Sequence, residues 1–180
     1  MIVFITGGAK NGKSSYAQEL AVRLAAVGKH YYIATMIPVD EEDRERIRRH
    51  IADRDGMGFE TVEQGTHLLD CLRTCQTDAA FLLDSTTALL MNELFLPPDW
   101  HLDETAGERC GDEVAAFAQA VKHIVIVSDY IYSDAQRYDN VTETYRRGLA
   151  SIDRKLAAIS DVVLEMSGGN LIVHKGVLPE

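Results

Sequence analysis

The eight residues Gly7-Gly8-Ala9-Lys10-Asn11-Gly12-Lys13-Ser14 constrain this chain more than any others. They satisfy the pattern G-x-x-x-x-G-K-[ST] of a phosphate-binding loop. Ile2-Val3-Phe4-Ile5-Thr6 before them is a β-branched and aromatic run that reads as a buried strand. Ser15 to Ala26 after them carries apolar residues at helical spacing, and Gly28 stops that helix. A loop between strand and helix is the context the chemistry requires. Glycines let the backbone turn tightly and aim its N–H groups at phosphate oxygens. The helix N-terminus adds partial positive charge. Lys13 is expected to reach the β and γ phosphates, and the Ser14 hydroxyl to ligate Mg²⁺. A bland Gly-rich turn would not require the Lys-Ser pair.

Composition bounds the rest. A length of 180 residues fits one nucleotide-binding domain spanning 1–180. The net charge of −10 argues against nucleic acid as the main partner. Cys71, Cys75 and Cys110 are odd in number and lack C-x-x-C spacing, so they read as reduced thiols of a cytoplasmic protein. A metal role for Cys71 and Cys75, four apart on an expected helix, is the minor alternative. No apolar run approaches the ~20 residues of a membrane span, and the N-terminal run is too short for a signal peptide.

The pattern then alternates strand and helix. Strands are expected over 31–36, 59–63, 79–84 and 123–128, and helices over 40–54, 66–75, 86–95, 105–121 and 141–160. Val162 to Met166 and Leu171 to His174, joined by Ser167-Gly168-Gly169-Asn170, read as a terminal hairpin. Together these give a mostly parallel α/β sheet with an antiparallel edge. Pro97 to His101 reads as a loop, with Trp100 as a packing anchor, and 129–140 as an exposed loop near the strand ends. Ala79 to Asp84 is an apolar run ending in a carboxylate, as expected of a buried strand that delivers an acid to its C-terminal edge. Asp84 is therefore a candidate for holding Mg²⁺, or alternatively the N-cap of the next helix.

His50 is the next informative residue. Arg46, His50 and Arg54 fall at i, i+4 and i+8 and form one stripe, bordering the face that holds Ile47 and Ile51. Two flanking guanidinium groups disfavour imidazolium and offer donors to phosphate oxygens. A neutral imidazole there suits attack on a nucleotide α-phosphate. The alternative is a solvated helix in which Glu42 pairs with Arg46 and Glu45 with Arg49.

Thr6 to Ser14, Tyr32-Ile33-Ala34-Thr35, Arg46-Ile47-x-x-His50-x-x-x-Arg54, Thr61-x-Glu63 and Leu82-Leu83-Asp84-Ser85-x-Thr87 with Asn92 occur in this order. In order and spacing they resemble the bifunctional adenosylcobinamide kinase / adenosylcobinamide-phosphate guanylyltransferase family of cobalamin biosynthesis. The resemblance covers roughly the first 95 residues. It implies a P-loop, RecA-type fold and a homotrimer. It implies two reactions: an NTP, ATP or GTP, phosphorylates adenosylcobinamide, and GTP then donates GMP through a histidine. By position, His50 is the guanylylated nucleophile and Lys13 its catalytic companion at the triphosphate. Gly7, Gly8, Ala9, Lys10, Asn11, Gly12, Lys13 and Ser14 hold the phosphates; Thr35, Arg54 and Glu63 line the nucleotide site; Ser14 and Asp84 serve Mg²⁺. The second half departs. The family has Asn-Glu and a Gly-rich stretch after its fifth main strand, and here Asp129-Tyr130-Ile131-Tyr132 follows. A kinase with a different acceptor, and a non-catalytic GTP-binding regulator, are the other readings.

Overall fold

The computed structural model describes residues 1–95 and 100–178. In chain order the elements are β1 (Ile2–Gly7), α1 (Lys13–Ala25), β2 (His30–Ala34), α2 (Glu41–Asp53) and β3 (Glu60–Glu63). A short 3-10 helix, Leu68–Arg73, leads to β4 (Ala80–Asp84), α3 (Thr86–Glu93), α4 (Ala106–Ala120) and β5 (His123–Val127). The long α5 (Asn140–Ile159) precedes β6 (Val162–Ser167) and β7 (Asn170–Lys175). The sheet order is β3-β2-β4-β5-β1-β6-β7, parallel throughout except for β7 on β6.

Period-2 alternation builds both sides of the core. Val3, Ile5, Leu82, Val125 and Val127 pack on one face with Ala17, Leu20 and Ala21 of α1. Phe4, Phe81, Leu83, Ile124 and Ile126 point the other way, against Leu89, Phe117, Leu149 and Leu156 of α3, α4 and α5. Burial on both faces explains why β4 and β5 are continuous apolar runs. α4 and α5 cross closely at two glycines: a Cβ on Gly107 would lie 2.3 Å from the Cα of Gly148. The hairpin turn uses Gly168 and Gly169 at φ of 56° and 76°, the left-handed pair a two-residue turn between twisted strands requires.

Several expectations need correction. The second strand ends at Ala34; just beyond it the Thr35 hydroxyl pairs with the Ser85 backbone. The helix expected over 66–75 is only the 3-10 segment, which begins after His67 at a φ of 52°. Trp100 is no packing anchor, being 64% exposed. The Pro97 to Asp99 part of that loop lies outside the described residues. Helix α2 buries no residue, so its histidine stripe does not border a buried face. With Ile47 and Ile51 as its only large apolar residues, α2 carries an N-cap and several exposed ion pairs. Asp40 accepts from the Asp43 N–H while Asp43 accepts from the Val39 N–H.

Candidate active site

The phosphate loop closes over the C-terminal end of β1. Gly7 has a φ of 152°, and a Cβ there would lie 2.3 Å from the Met166 carbonyl oxygen of β6. Gly12, at a φ of 85°, is the left-handed N-cap from which α1 starts. Both positions exclude side chains for reasons visible in the backbone. Asn11 Nδ2 donates to the same Met166 carbonyl at 3.4 Å. Ala9 and Lys10 form the exposed crest of the loop, and Gly8 sits beneath it. Lys13 folds back under the crest. Its Nζ donates to the Gly8 carbonyl at 2.7 Å and to Asp129 Oδ1 at 2.5 Å. Lys13 is only 5% exposed, so its charge is held beneath the loop.

A second cluster forms at the ends of β2 and β4. Asp84 is the last residue of β4, and its side chain is 8% exposed. It is not the N-cap of α3; that residue is Ser85, which accepts from the Ala88 N–H. Asp84 Oδ2 accepts the Tyr32 hydroxyl at 2.9 Å and lies 3.7 Å from His50 Nδ1. Burial and the neighbouring carboxylate push the Tyr32 phenol well above the usual tyrosine range, so it remains a donor. The Arg54 guanidinium lies over the Tyr32 ring at 4.2 Å and donates to Thr61 Oγ1 at 3.2 Å. His50, Arg54 and Asp84 are thus brought together through Tyr32, which its place in an apolar strand does not mark as a site residue.

The flanking arginines behave differently from expectation. Arg46 pairs with Glu42 at 3.3 Å and Asp43 at 3.9 Å, away from His50. Arg49 donates to the Glu45 carbonyl, while the Glu45 carboxylate pairs with Arg48. Thr35 is fully buried. Its hydroxyl donates to the Ser85 carbonyl at 2.9 Å and accepts the Ser85 N–H at 2.8 Å. Asn92 clamps the Thr35 and Gly65 carbonyls, both at 2.8 Å. These two residues brace the floor of the site. Glu63 ends the edge strand β3 and is exposed.

The two clusters are connected. β5 lies between β4 and β1, and the chain leaving it runs beside the loop, with the Tyr130 N–H donating to the Gly7 carbonyl at 3.3 Å. Thr87 Oγ1 lies 2.5 Å from Ser85 Oγ and donates to Asp129 Oδ2 at 3.5 Å. A polar line therefore joins Lys13, Asp129, Thr87 and Ser85 to the strand end carrying Asp84. Asp129 escapes notice in the sequence because it merges with the polar loop that follows, although His123 to Ser128 is, like Ala79 to Leu83, an apolar run leading to a carboxylate. Behind Asp129, Asp153 of α5 accepts the Ser128 hydroxyl at 2.7 Å and the Tyr132 hydroxyl at 2.8 Å. Burial raises its carboxyl to about 6. Among the described residues no group of three or more His, Cys, Asp or Glu is placed to hold a metal ion.

A mostly parallel sheet with a glycine-rich loop after β1, and an acid two strands away across β5, defines a P-loop nucleotide-binding protein of the RecA-like class. Solved structures agree. One solved ATPase domain aligns with a TM-score of 0.55 at 10% identity, over 97% of this chain and 76% of that one. A KaiC-like protein of Pyrococcus horikoshii gives 0.53 at 12% identity, covering 97% and 78%. Within that class, residues 3–173 match the family model for cobinamide kinase / cobinamide phosphate guanyltransferase, and the chain belongs to this family. The bifunctional adenosylcobalamin biosynthesis protein of Salmonella typhimurium is 30% identical over 182 aligned positions, covering 93% of this chain and 97% of that one. Its Escherichia coli counterpart is 26% identical, with the same coverage. The match runs well past residue 95, so the departures after β5 lie within the family fold.

Proposed function

We propose that this chain carries out two successive reactions. An NTP phosphorylates the aminopropanol hydroxyl of adenosylcobinamide, and GMP from GTP is then transferred to the new phosphate, giving adenosyl-GDP-cobinamide. One observation carries the second reaction: His50 stands against Asp84 at the strand edge that also bears the phosphate loop. With Nδ1 facing Asp84, Nε2 is the ring nitrogen left for attack. Nε2 bonds to the α-phosphorus of GTP, the bond to the bridging oxygen breaks, and pyrophosphate leaves. A phosphate oxygen of the acceptor then attacks the same phosphorus, and the P–N bond breaks to restore the imidazole. Lys13 and the loop N–H groups orient the phosphates, and Arg54 adds a cation beside His50. The contacts of Tyr32 and Thr61 hold that cation in place.

Ser14, in the first turn of α1, and Asp84 offer a hydroxyl and a carboxylate. These oxygen donors suit a hard cation, and we propose them as the Mg²⁺ ligands. Bound there, Mg²⁺ would neutralise charge developing on the phosphates. Glu63 and Thr35 belong to the same reading as the outer edge and floor of the nucleotide site. We further propose a cytoplasmic homotrimer without a nucleic-acid partner, supported by the family resemblance and the charge of −10. Among the described residues no helix is long and apolar enough to cross a membrane.

The test is incubation with GTP labelled in its α-phosphate, followed by denaturation and gel analysis, with His50→Ala alongside. An acid-labile, base-stable label that vanishes in the variant is expected. Absence of label on protein that demonstrably binds GTP would overturn the guanylyltransferase half and leave a kinase with a different acceptor, or a regulator.

A further inference from the structure

Phosphorylating an alcohol needs a group to take its proton, and the described carboxylates near the phosphate loop can be sorted by what they already hold. Asp84 is nearly buried and faces Tyr32 and His50. Asp153 is buried behind the site and accepts two hydroxyls. Glu165 is taken by Tyr130 and His174. Asp129 differs. It stands beyond the end of β5, between the strand of the phosphate loop and the strand of Asp84. Its side chain is 30% exposed, and one oxygen already touches Lys13, the group expected to contact the γ-phosphate. Among the described residues the other oxygen accepts one long hydrogen bond, from Thr87 at 3.5 Å.

We propose that Asp129 is the general base of the phosphoryl transfer. This rests on the kinase half of the reading above. In the structure Lys13 is shared between Asp129 and the Gly8 carbonyl. A triphosphate in the loop draws Lys13 Nζ to its β and γ oxygens and leaves the Asp129 carboxylate facing the γ-phosphorus from the solvent side. A hydroxyl there can meet both. A base within about 2.6–3.2 Å of the oxygen and a phosphorus about 3–3.5 Å beyond it span roughly 6 Å. A carboxylate paired to the phosphate-binding lysine lies within that reach. The acceptor O–H bond breaks and its proton passes to Asp129. The acceptor oxygen bonds to the γ-phosphorus, and the P–O bond to the β-phosphate breaks. The nucleoside diphosphate leaves with the electron pair, and Asp129 later releases the proton to water.

The test uses the full chain as wild type, Asp129→Asn and Asp129→Glu, with adenosylcobinamide and NTP as substrates. Steady-state constants are measured for each protein at one pH. General-base catalysis contributes about 10²- to 10⁴-fold. Asp129→Asn is therefore expected to lower kcat at least ~100-fold with nucleotide KM within about tenfold. Asp129→Glu should restore part of kcat.

A kcat within about threefold of wild type in Asp129→Asn would overturn the assignment. So would a lower nucleotide KM at unchanged kcat, the signature of a carboxylate that merely occupies Lys13. If the wild type leaves adenosylcobinamide unphosphorylated, the acceptor named above falls instead. Asp129 is then judged on NTP hydrolysis with water as acceptor, where the same loss is required.

Discussion

His50 Nδ1 lies 3.7 Å from Asp84 Oδ2, and Asp84 is fixed from its other side by the Tyr32 hydroxyl at 2.9 Å. An exposed helix thereby presents its one histidine to a carboxylate delivered by a buried strand. In the proposed transfer, the carboxylate would align the ring and stabilise positive charge on it as Nε2 forms a bond. Asp84→Asn keeps the shape and removes the charge. It is expected to slow His50 guanylylation by about 10²-fold or more at saturating GTP. Single-turnover labelling measures this, repeated across Mg²⁺ concentrations. A rate restored by excess Mg²⁺ would instead assign Asp84 to the metal alone.

Arg54 lies over the Tyr32 ring at 4.2 Å on a half-exposed surface. Such a contact is worth about 0.5–1 kcal/mol. Arg54→Ala should therefore lower stability by no more than about 1 kcal/mol, with a larger loss in GTP affinity if the guanidinium meets phosphate. Urea unfolding and GTP titration of one preparation separate the two effects. Equal small losses in both would remove Arg54 from the nucleotide site.

How far the sequence can be read follows from what each residue depends on. The phosphate loop is legible because its chemistry is local: Gly7 and Gly12 answer backbone demands set within the loop and by the strand beside it. β4 and β5 are legible because burial on both faces leaves continuous apolar runs. The Asp40 cap is legible because its partner is three residues away. Tyr32 and Asp129 are not legible as site residues. Their partners are 52 and 116 positions away, and only the strand order brings them together. The pairing of Arg46 and Arg48 with acids on their own helix competes with the phosphate-facing stripe, and spacing alone cannot rank the two. The 3-10 segment near Leu68 shows helical residue types overridden by tertiary contacts, since Glu93 accepts the His67 N–H and Glu113 the Leu69 N–H.

Gly107 and Gly148 set how closely α4 and α5 approach. Glycine inside a helix costs roughly 0.5–1 kcal/mol relative to alanine, so helix propensity alone would reward Gly107→Ala. The structure predicts the opposite, because the new methyl would fall 2.3 Å from the Gly148 Cα, a backbone atom that cannot swing aside. Overpacking of this kind costs about 1–3 kcal/mol. A lower urea midpoint is expected. A stabilised variant would mean that the helices separate freely.

Asp153 makes stability itself depend on pH. Its carboxyl is raised by burial to about 6, against an ordinary value of 3.8, although the Ser128 and Tyr132 hydroxyls partly offset the rise. A raised carboxyl means that the folded chain binds more protons than the unfolded chain across this interval. The contribution of this group therefore falls as pH rises from about 4 to about 6, and stays low above that. At 1.36 kcal/mol per pKa unit the full difference is about 3 kcal/mol, an upper figure for a group with two hydroxyl donors. Asp153→Asn cannot ionise, and its amide can still pair with both hydroxyls once one of them turns to accept. The variant should gain on wild type as pH rises, with the gain complete by about pH 7.5. Asp103, Asp139 and Glu165, whose carboxyls are lowered by their partners, favour folding at high pH in both proteins and cancel in the comparison. Urea unfolding of the pair at pH 4.5 and pH 8 reads the difference. A gap between the two proteins that does not change with pH would show that Asp153 is ionised in the folded chain throughout.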